Sequence, residues 1–293
     1  EDVAAFGYRD HTKGYERDFV NRAVTFYTDE LYLRRDGKLV RIDKPDDASA
    51  SAFRDLLLLQ LRSDWTVGGK THAAGSLLAA DFDTYLEGKR EFEVLFEPTE
   101  RSTLSDFTPT LTHVILNVLD NVRNRLYVLT RVDGKWQREP LPGMPEFGTV
   151  SVDAVDDEEN DDYFLTLTDY VTPTSLLLGT VGKGAPEKLK QLPAFFDAAG
   201  LVVTQHEATS KDGTRIPYFQ VARQDLALDG GNPTLLYGYG GFEVSMVPGY
   251  SGSVGSAWLE KGGVYVVANL RGGGEFGPKW HQAALKANRH KAY

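Results

Sequence analysis

PTLLYGYGGFEVSMVPGYSGSVGSAWLEKGGVYVVANLRGGGEFGPKWHQAALKANRHKAY, residues 233–293, is the stretch that decides the fold of this chain. It holds two uncharged apolar runs, Pro233–Tyr237 and Gly263–Leu270, which are typical of strands buried on both faces of a parallel sheet. Between them, residues 251–261 have apolar side chains at roughly helical spacing, and the glycines that follow are a natural helix stop. The order strand, helix, strand predicts a βαβ unit.

A glycine cluster follows each of the two predicted strands. Residues 238–241 follow the first strand, and residues 272–277 follow the second. In an open parallel sheet, the loops beyond the carboxyl ends of the strands form the ligand-binding crevice. We therefore expect the functional residues of this part of the chain on these two loops.

Two long motifs on these loops carry a family resemblance. The motif YGYGGF at Tyr237–Phe242, followed by ANLRGGGEFG at Ala268–Gly277 and then by Trp280 and His281, resembles the start of the peptidase domain of prolyl oligopeptidases. The segment Ser210–Phe219 is similar to the strand pair that opens that domain. The order and the distance of the two motifs make the resemblance specific over the last third of the chain and weaker before it.

The resemblance implies a fold and an activity. Members of the family are α/β-hydrolases that act through a Ser, an Asp and a His, with the Ser on a G-x-S-x-G turn. No such pattern occurs in the sequence, so we expect an internal fragment that lacks the triad and is inactive alone. The expected fold is a partial β-propeller of about four blades over residues 1–199, followed by the N-terminal part of an α/β-hydrolase domain over residues 200–293.

The implied parent protein is a serine peptidase that cleaves short peptides after proline or in a related specificity. In such a protein the propeller acts as a lid whose central channel admits only short peptides. The resemblance implies no metal and no organic cofactor. The remainder of the same polypeptide would be needed to complete both domains.

The resemblance also implies roles for individual residues. In the family, the second tyrosine of YGYGGF, here Tyr239, donates to the oxyanion of the tetrahedral intermediate, and Phe242 is similar to the aromatic wall of the proline pocket. The residues expected to support the loops are Gly240, Gly241, Arg271 and Glu275. We expect Arg271 and Glu275 to form an ion pair. The alternatives are that Tyr237 and Tyr239 simply pack on a strand and that Phe242 is a core residue.

Two functions from other classes compete with the peptidase. Residues 272–277 satisfy G-x-G-x-x-G after a strand, with Pro278 as a first helical residue, which is the pattern of a dinucleotide-binding oxidoreductase. Glu275 would place a negative charge beside the phosphates and argues against this hypothesis. The second alternative is a propeller-type binding module without catalysis, although no feature of the sequence marks a binding face.

Short strands joined by short turns dominate the chain before residue 199. Groups of three or four such strands recur and predict propeller blades. Residues 1–20 read as polar and irregular, Val24–Tyr27 as a strand, and residues 182–193 as a glycine, proline and lysine connection. The acidic run Asp156–Asp162 lacks the spacing of a calcium loop and is predicted to be a solvated loop.

Composition excludes several classes of protein. The net charge is −10, which disfavours nucleic-acid binding because phosphate recognition uses clustered Lys and Arg. The absence of cysteine removes disulfides and thiolate chemistry, and the spacing of the six histidines fits no metal motif. We expect structural roles for His113 and His281. The sequence contains no apolar run long enough to span a membrane, so we expect a cytoplasmic or periplasmic protein.

Overall fold

The computed structural model describes residues 4–143 and 148–292, and its first four sheets form a series. Each has four antiparallel strands that follow one another along the chain. Blade one contains β1 (Ala4–Asp10), β2 (Arg17–Ala23), β3 (Asp29–Arg35) and β4 (Lys38–Arg41). Blade two contains β5 (Ser49–Phe53), β6 (Leu56–Gln60), β9 (Leu77–Asp81) and β10 (Glu93–Phe96), with the hairpin β7 (Trp65–Val67) and β8 (Lys70–His72) inserted.

The next two sheets repeat the pattern. Blade three contains β11 (Ser102–Pro109), β12 (His113–Asp120), β13 (Arg123–Val132) and β14 (Lys135–Pro140). Blade four contains β15 (Thr149–Ala154), β16 (Asp162–Thr168), β17 (Ser175–Thr180) and β18 (Glu187–Gln191). A short helix, α1 (Phe82–Leu86), lies between β9 and β10. These are blades of a β-propeller, so the predicted partial propeller of four blades is confirmed.

The second blade shows how the blades adhere to one another. All four leucines of β6 are buried, but successive side chains of a strand point to opposite faces of its sheet. Leu57 and Leu59 therefore pack with Phe19 of blade one, while Leu56 and Leu58 pack with Val114 of blade three. The blade is apolar on both faces because each face meets a different neighbour.

A mixed sheet follows the propeller. It contains β19 (Leu201–Thr209), β20 (Arg215–Arg223), β21 (Thr234–Gly238) and β22 (Val264–Ala268) in the order β19-β20-β22-β21, with β21 and β22 parallel. Between β21 and β22 lie α2 (Gly252–Ala257) and a 3-10 turn at Leu259–Lys261, and α3 (Pro278–Gln282) comes after β22. A second 3-10 segment spans Lys286–Ala292. The predicted βαβ unit is confirmed.

Local sequence explains where α2 begins and where the helical segment ends. The Ser251 hydroxyl accepts a hydrogen bond from the Val254 N–H at 3.3 Å, which is an N-cap. Gly262 takes a left-handed conformation with φ of 83° at the end of the 3-10 turn, as the glycine stop predicts. Pro278 is the first residue of α3, also as predicted. The predicted domain boundary at residue 199 falls between β18 and β19, and the independence of the two parts stays a prediction.

Four predictions about the elements are wrong. Residues 4–20 are not irregular, because β1 and most of β2 pair there; residues 1–3 lie outside the described residues. Val24–Tyr27 is a turn between β2 and β3, and β18 lies inside the predicted connection at 182–193. The strands β1 and β18 are exposed along nearly their whole length, so they lack the apolar alternation by which strands are recognised. The fourth error concerns β21, whose residues are exposed rather than buried on both faces.

The acidic run forms the loop between β15 and β16, but it is fastened at both ends. The Asp161 carboxylate accepts hydrogen bonds from the Thr110 hydroxyl at 2.6 Å and from the N–H and hydroxyl of Thr112 at 2.8 and 2.7 Å. Burial opposes ionisation of Asp161, yet these hydrogen bonds outweigh it and lower its pKa to about 2. Across the propeller, Glu158 accepts from the His11 N–H at 2.6 Å. The loop therefore links blade four to blades three and one.

Candidate active site

The parallel pair β21 and β22 brings the two glycine loops together. Gly238 pairs with Ala268 at the carboxyl ends of the strands, so residues 239–243 and 269–277 start side by side. The Glu243 N–H donates to the Gly272 carbonyl at 3.2 Å and joins the loops directly. Tyr239 is the first residue after β21 and its side chain is 42% exposed. Tyr239 thus lies at the edge of the sheet where the sequence predicts a functional site.

Glycine is required where the two loops touch. Gly240 has φ of +60°, and a Cβ on it would lie 2.8 Å from the Arg271 carbonyl oxygen. Gly272 has φ of +95°, and a Cβ there would lie 2.4 Å from the Gly240 carbonyl oxygen. Side chains other than hydrogen would strain the backbone and push the loops apart. The two loops pack backbone on backbone, and this contact fixes the main chain beside Tyr239.

Phe242 lies at the tip of the first loop. Phe242 and Glu243 have φ of 51° and 61°, which is unusual for residues with a Cβ and is typical of functional loops. The Phe242 ring is 64% exposed, so the alternative of a core phenylalanine is wrong. Its ring centroid lies 6.0 Å from that of Phe26, in the turn between β2 and β3, in an edge-to-face arrangement. A propeller residue therefore contacts the predicted wall of the proline pocket.

Arg271 does not pair with Glu275, and that prediction is wrong. The Arg271 side chain is buried and reaches the turn between β19 and β20, where it forms an ion pair with Asp212. It also donates to the hydroxyls of Thr214 at 3.0 Å and Ser210 at 3.1 Å. The hydrogen bond from Arg271, and then that from the Thr214 N–H, hold the pKa of Asp212 well below its ordinary value. The residues that accept these hydrogen bonds belong to the Ser-Lys-Asp-Gly-Thr turn at residues 210–214, which was the signal in the sequence for this contact.

Glu275 is fully buried on the inner side of the second loop. It accepts from the Met246 N–H at 2.9 Å and from the Asn269 amide at 3.4 Å. Its other oxygen, Oε2, has no hydrogen-bond partner within the described part of the chain. That oxygen fits only because Gly273 has no side chain, since a Cβ there would lie 2.1 Å away. Burial raises the pKa of Glu275, which favours the neutral carboxylic acid.

The same packing argues against a dinucleotide site. The Glu275 carboxyl fills the inner side of the G-x-G-x-x-G loop, and a Cβ on Gly274 would lie 2.1 Å from the Glu243 carbonyl oxygen. The following helix, α3, has only five residues. The loop is packed on protein backbone and has no room for a pyrophosphate.

His281 is held in place by the glycine loops. Its ring is buried, and Nδ1 lies 2.6 Å from the Gly272 carbonyl oxygen, to which it donates. The ring centroid lies 6.2 Å from that of Tyr27 in the propeller. The expected structural role therefore fits its surroundings. His113, the other histidine assigned a structural role, contacts Asp161 through Nδ1 at 3.1 Å.

A cavity of about 700 Å³ separates the propeller from the glycine loops. All four blades contribute to one wall, and the opposite wall includes Glu243, which forms an ion pair with Arg62 of blade two. The Arg62 guanidinium lies 3.7 Å from the Tyr27 ring centroid. A second cavity of about 550 Å³ lies farther along the propeller. The residues that line both cavities are Ser49, Gln60 and Asp106.

The cavities were not located by the sequence, because each is lined by residues from strands that are far apart in the chain. Together they mark a path along the inner strands of the propeller that opens toward the glycine loops. In the ranges 4–143 and 148–292, no group of three or more His, Asp or Glu side chains has the geometry of a metal site. No helix among the described residues has the length and hydropathy needed to cross a membrane.

Comparisons with known proteins give relatives over the whole chain. The chain is 40% identical over 293 residues to an uncharacterized peptidase of Sinorhizobium fredii, covering 97% of this chain and 40% of the relative. It is 38% identical over 161 residues to a prolyl endopeptidase of Elizabethkingia miricola, covering 55% of this chain and 22% of the relative. No protein-family model matches the chain.

A solved peptidase structure is also similar to this chain over its whole length. The structure of a post-proline cleaving enzyme from Rickettsia typhi superposes with a TM-score of 0.87 and 31% sequence identity. It covers 100% of this chain, and this chain covers 43% of it. The chain thus spans about 40% of the length of the relatives that it matches from end to end.

Proposed function

Because the chain belongs to the prolyl oligopeptidase family, we propose that it is part of a serine-type peptidase that cleaves short peptides after proline, and that Tyr239 stabilises the oxyanion in that reaction. Peptidase names among the relatives support the reaction class. The observation that carries the role of Tyr239 is its partly exposed side chain at the carboxyl end of a parallel strand, beside main chain fixed by Gly240 and Gly272.

Oxyanion stabilisation needs a donor that is fixed before the reaction. Attack on a peptide carbonyl places negative charge on its oxygen, and a donor fixed at that position supplies about 3 kcal/mol. The close contact of Gly240 and Gly272 leaves the loop little freedom to move, so the main chain that carries the phenol need not be ordered at the moment of reaction. The nucleophile, the acid and the base would come from the remainder of the full-length protein, and the 293-residue chain alone would not hydrolyse peptides.

Phe242 is proposed to form one wall of the proline pocket. An exposed ring with restricted backbone offers a flat apolar face, which suits the pyrrolidine ring. The contact with Phe26 would hold that wall against the propeller. The proposed substrate is a short peptide, because the cavity between the propeller and the loops has a volume of about 700 Å³ and cannot hold a folded protein.

The test compares two tyrosines of one motif in the full-length protein. We expect Tyr239→Phe to lower kcat/KM for a prolyl peptide about 100-fold, since one donor is lost, while labelling by a fluorophosphonate persists. Tyr237→Phe is the matched control and should change kcat/KM less than about threefold, since the remaining ring keeps its packing. Equal effects of the two substitutions would contradict the role of Tyr239. Absence of fluorophosphonate labelling in the wild-type protein would contradict the serine peptidase.

A further inference from the structure

A further concave site lies where blade three meets the mixed sheet. It has a volume of about 490 Å³. One side is formed by the turn between β12 and β13 and by the residue before β11, and the other by β19 and β20. The charged residues that line it are Arg101, Arg123, Arg125, Arg215, Asp120 and Glu207. We refer to it as the arginine pocket.

The charge of the arginine pocket is opposite in sign to the net charge of the chain. The protein carries a net charge of −10, yet arginines outnumber carboxylates two to one in this lining. Glu207 is satisfied internally, because Arg101 forms an ion pair with it and Arg215 donates to it through Nε at 2.8 Å. Burial opposes ionisation of Glu207, but the hydrogen bonds from these two arginines outweigh it and lower its pKa. Arg125 forms no ion pair with Glu207, whose partners are Arg101 and Arg215.

The other carboxylate in the lining, Asp120, does not pair with Arg125 either. Asp120 accepts from the Asn121 amide at 2.7 Å, and no ion pair links it to an arginine within residues 4–143 and 148–292. Arg123 donates through Nε to the Gln205 side chain at 2.8 Å, which orients its guanidinium at the junction. Arg125 has neither a hydrogen bond nor an ion pair with any residue that the structure describes.

We propose that the arginine pocket binds a phosphate-type anion, and that the bound anion ties blade three to the mixed sheet. Guanidinium groups present N–H donors in a planar fork that matches tetrahedral oxyanions. Arg125 supplies an uncompensated fork from the propeller, and Arg215 lies on the opposite side of the pocket. Anion binding would reinforce the hydrogen bond from the Gln205 side chain to the Asn121 carbonyl, which already crosses this junction at 2.7 Å.

The test measures binding of inorganic phosphate and pyrophosphate to the full-length protein by calorimetry at fixed ionic strength. We expect pyrophosphate to bind more tightly than phosphate, and Arg125→Gln to weaken pyrophosphate binding about tenfold, as loss of one charge-assisted contact does. Arg125→Lys keeps the charge without the fork and should weaken binding about threefold. Arg35→Gln removes an equal charge from the outer part of blade one and should leave binding unchanged.

Three results would overturn the proposal. The first is no pyrophosphate binding to the wild-type protein. The second is an equal loss in Arg125→Gln and Arg35→Gln, which would reflect overall charge rather than a site. The third is tighter binding of citrate than of pyrophosphate, which would exclude the phosphate class. A melting temperature of Arg125→Gln equal to that of the wild type in the absence of anions would establish that the variant is folded.

Discussion

The strands β6 and β21 have similar sequences and opposite surroundings. LLLL at residues 56–59 and LLY at residues 235–237 are both uncharged apolar runs. In β6 all four leucines are buried, and Leu58 is 0% exposed. In β21 the same kind of residue faces outward, and Leu236 is 68% exposed.

The difference comes from neighbours rather than from the strands. Blade two lies between blades one and three, so both faces of β6 are covered. The strand β21 is the last in its sheet, and within the described residues no element covers its faces. An apolar run therefore predicts a strand that can be buried, but whether it is buried depends on which other elements pack against it.

The largest effect expected is on the apolar contact between blades. Leu58→Ala should lower the free energy of unfolding of the 293-residue chain by about 3 kcal/mol, because it leaves a cavity between blades two and three. Leu236→Ala is the matched control and should change the same quantity by less than about 0.5 kcal/mol, since its side chain is exposed. Urea unfolding measures both. Equal losses of unfolding free energy in the two variants would contradict the difference in burial between β6 and β21.

A smaller effect is expected for the polar contacts of the propeller. Asp161→Asn should cost about 2 kcal/mol at pH 7, because hydrogen bonds in the folded protein lower the pKa of this carboxylate from 3.8 to about 2. This contribution is present above the ordinary pKa of 3.8 and is lost as the pH falls through about 2. Unfolding midpoints at pH 7 and pH 2.5 should therefore differ less in the variant than in the wild type.

Asp157 is the control within the same acidic run. Burial, and then the charges of Glu158 and Asp156, raise its pKa, so its ionised form is disfavoured by folding. Asp157→Asn should be neutral or slightly stabilising at pH 7. A loss equal to that of Asp161→Asn would mean that the charge of the run, rather than its hydrogen bonds, fastens the loop.

In the mixed sheet, Glu275→Gln tests the buried polar contacts under the loops. Burial raises the pKa of Glu275 above 4.5. Between pH 4.5 and that raised pKa, Glu275 is therefore protonated in the folded protein and ionised in the unfolded chain. Stability from this group is complete below pH 4.5 and falls as the pH rises toward the raised pKa. The variant cannot titrate at this position, so its free energy of unfolding should fall less than that of the wild type above pH 4.5. At pH 5 the two falls should differ by less than about 1 kcal/mol. If the stability of the wild type and of the variant changed in parallel with pH, the raised pKa of Glu275 would be contradicted.

The smallest change in stability is expected for Leu236→Lys. The side chain is exposed, so the free energy of unfolding should stay within about 0.5 kcal/mol of the wild type. Self-association should decrease, since exposed apolar edge strands promote pairing between chains and lysine opposes it. Sedimentation of the 293-residue chain at several concentrations measures the effect. Leu39→Lys, on an exposed strand of blade one, is the control, and an equal decrease there would show that β21 has no special part.

Much of the fold was predictable because its signals are local. Short strands with Asp-Gly turns, the Ser251 cap, the Gly262 stop and the Pro278 helix start each depend on a few adjacent residues. The glycine loops were predictable for the same reason, because only glycine permits such close contact of main chains. The strands β1 and β18 were missed because they are exposed and do not alternate.

The surroundings of the site residues were less predictable. The ion pair of Arg271 with Asp212 joins residues 59 positions apart, and the sequence offered the nearer Glu275 as a partner. The contact of Phe26 with Phe242 joins the propeller to the glycine loop. The cavities are also assembled from several blades. Such contacts depend on how sheets are placed relative to one another, which no local pattern records.

The strand order of the mixed sheet has a consequence for synthesis of the chain on the ribosome. Each blade is built from strands that follow one another, so it can form as soon as its own segment emerges. In the mixed sheet, β22 lies between β20 and β21, although it is made after both. The chain must therefore leave a gap between two finished strands until the last one arrives. While residues 239–263 are being translated, β20 and β21 both lack the strand that pairs with them in the finished sheet.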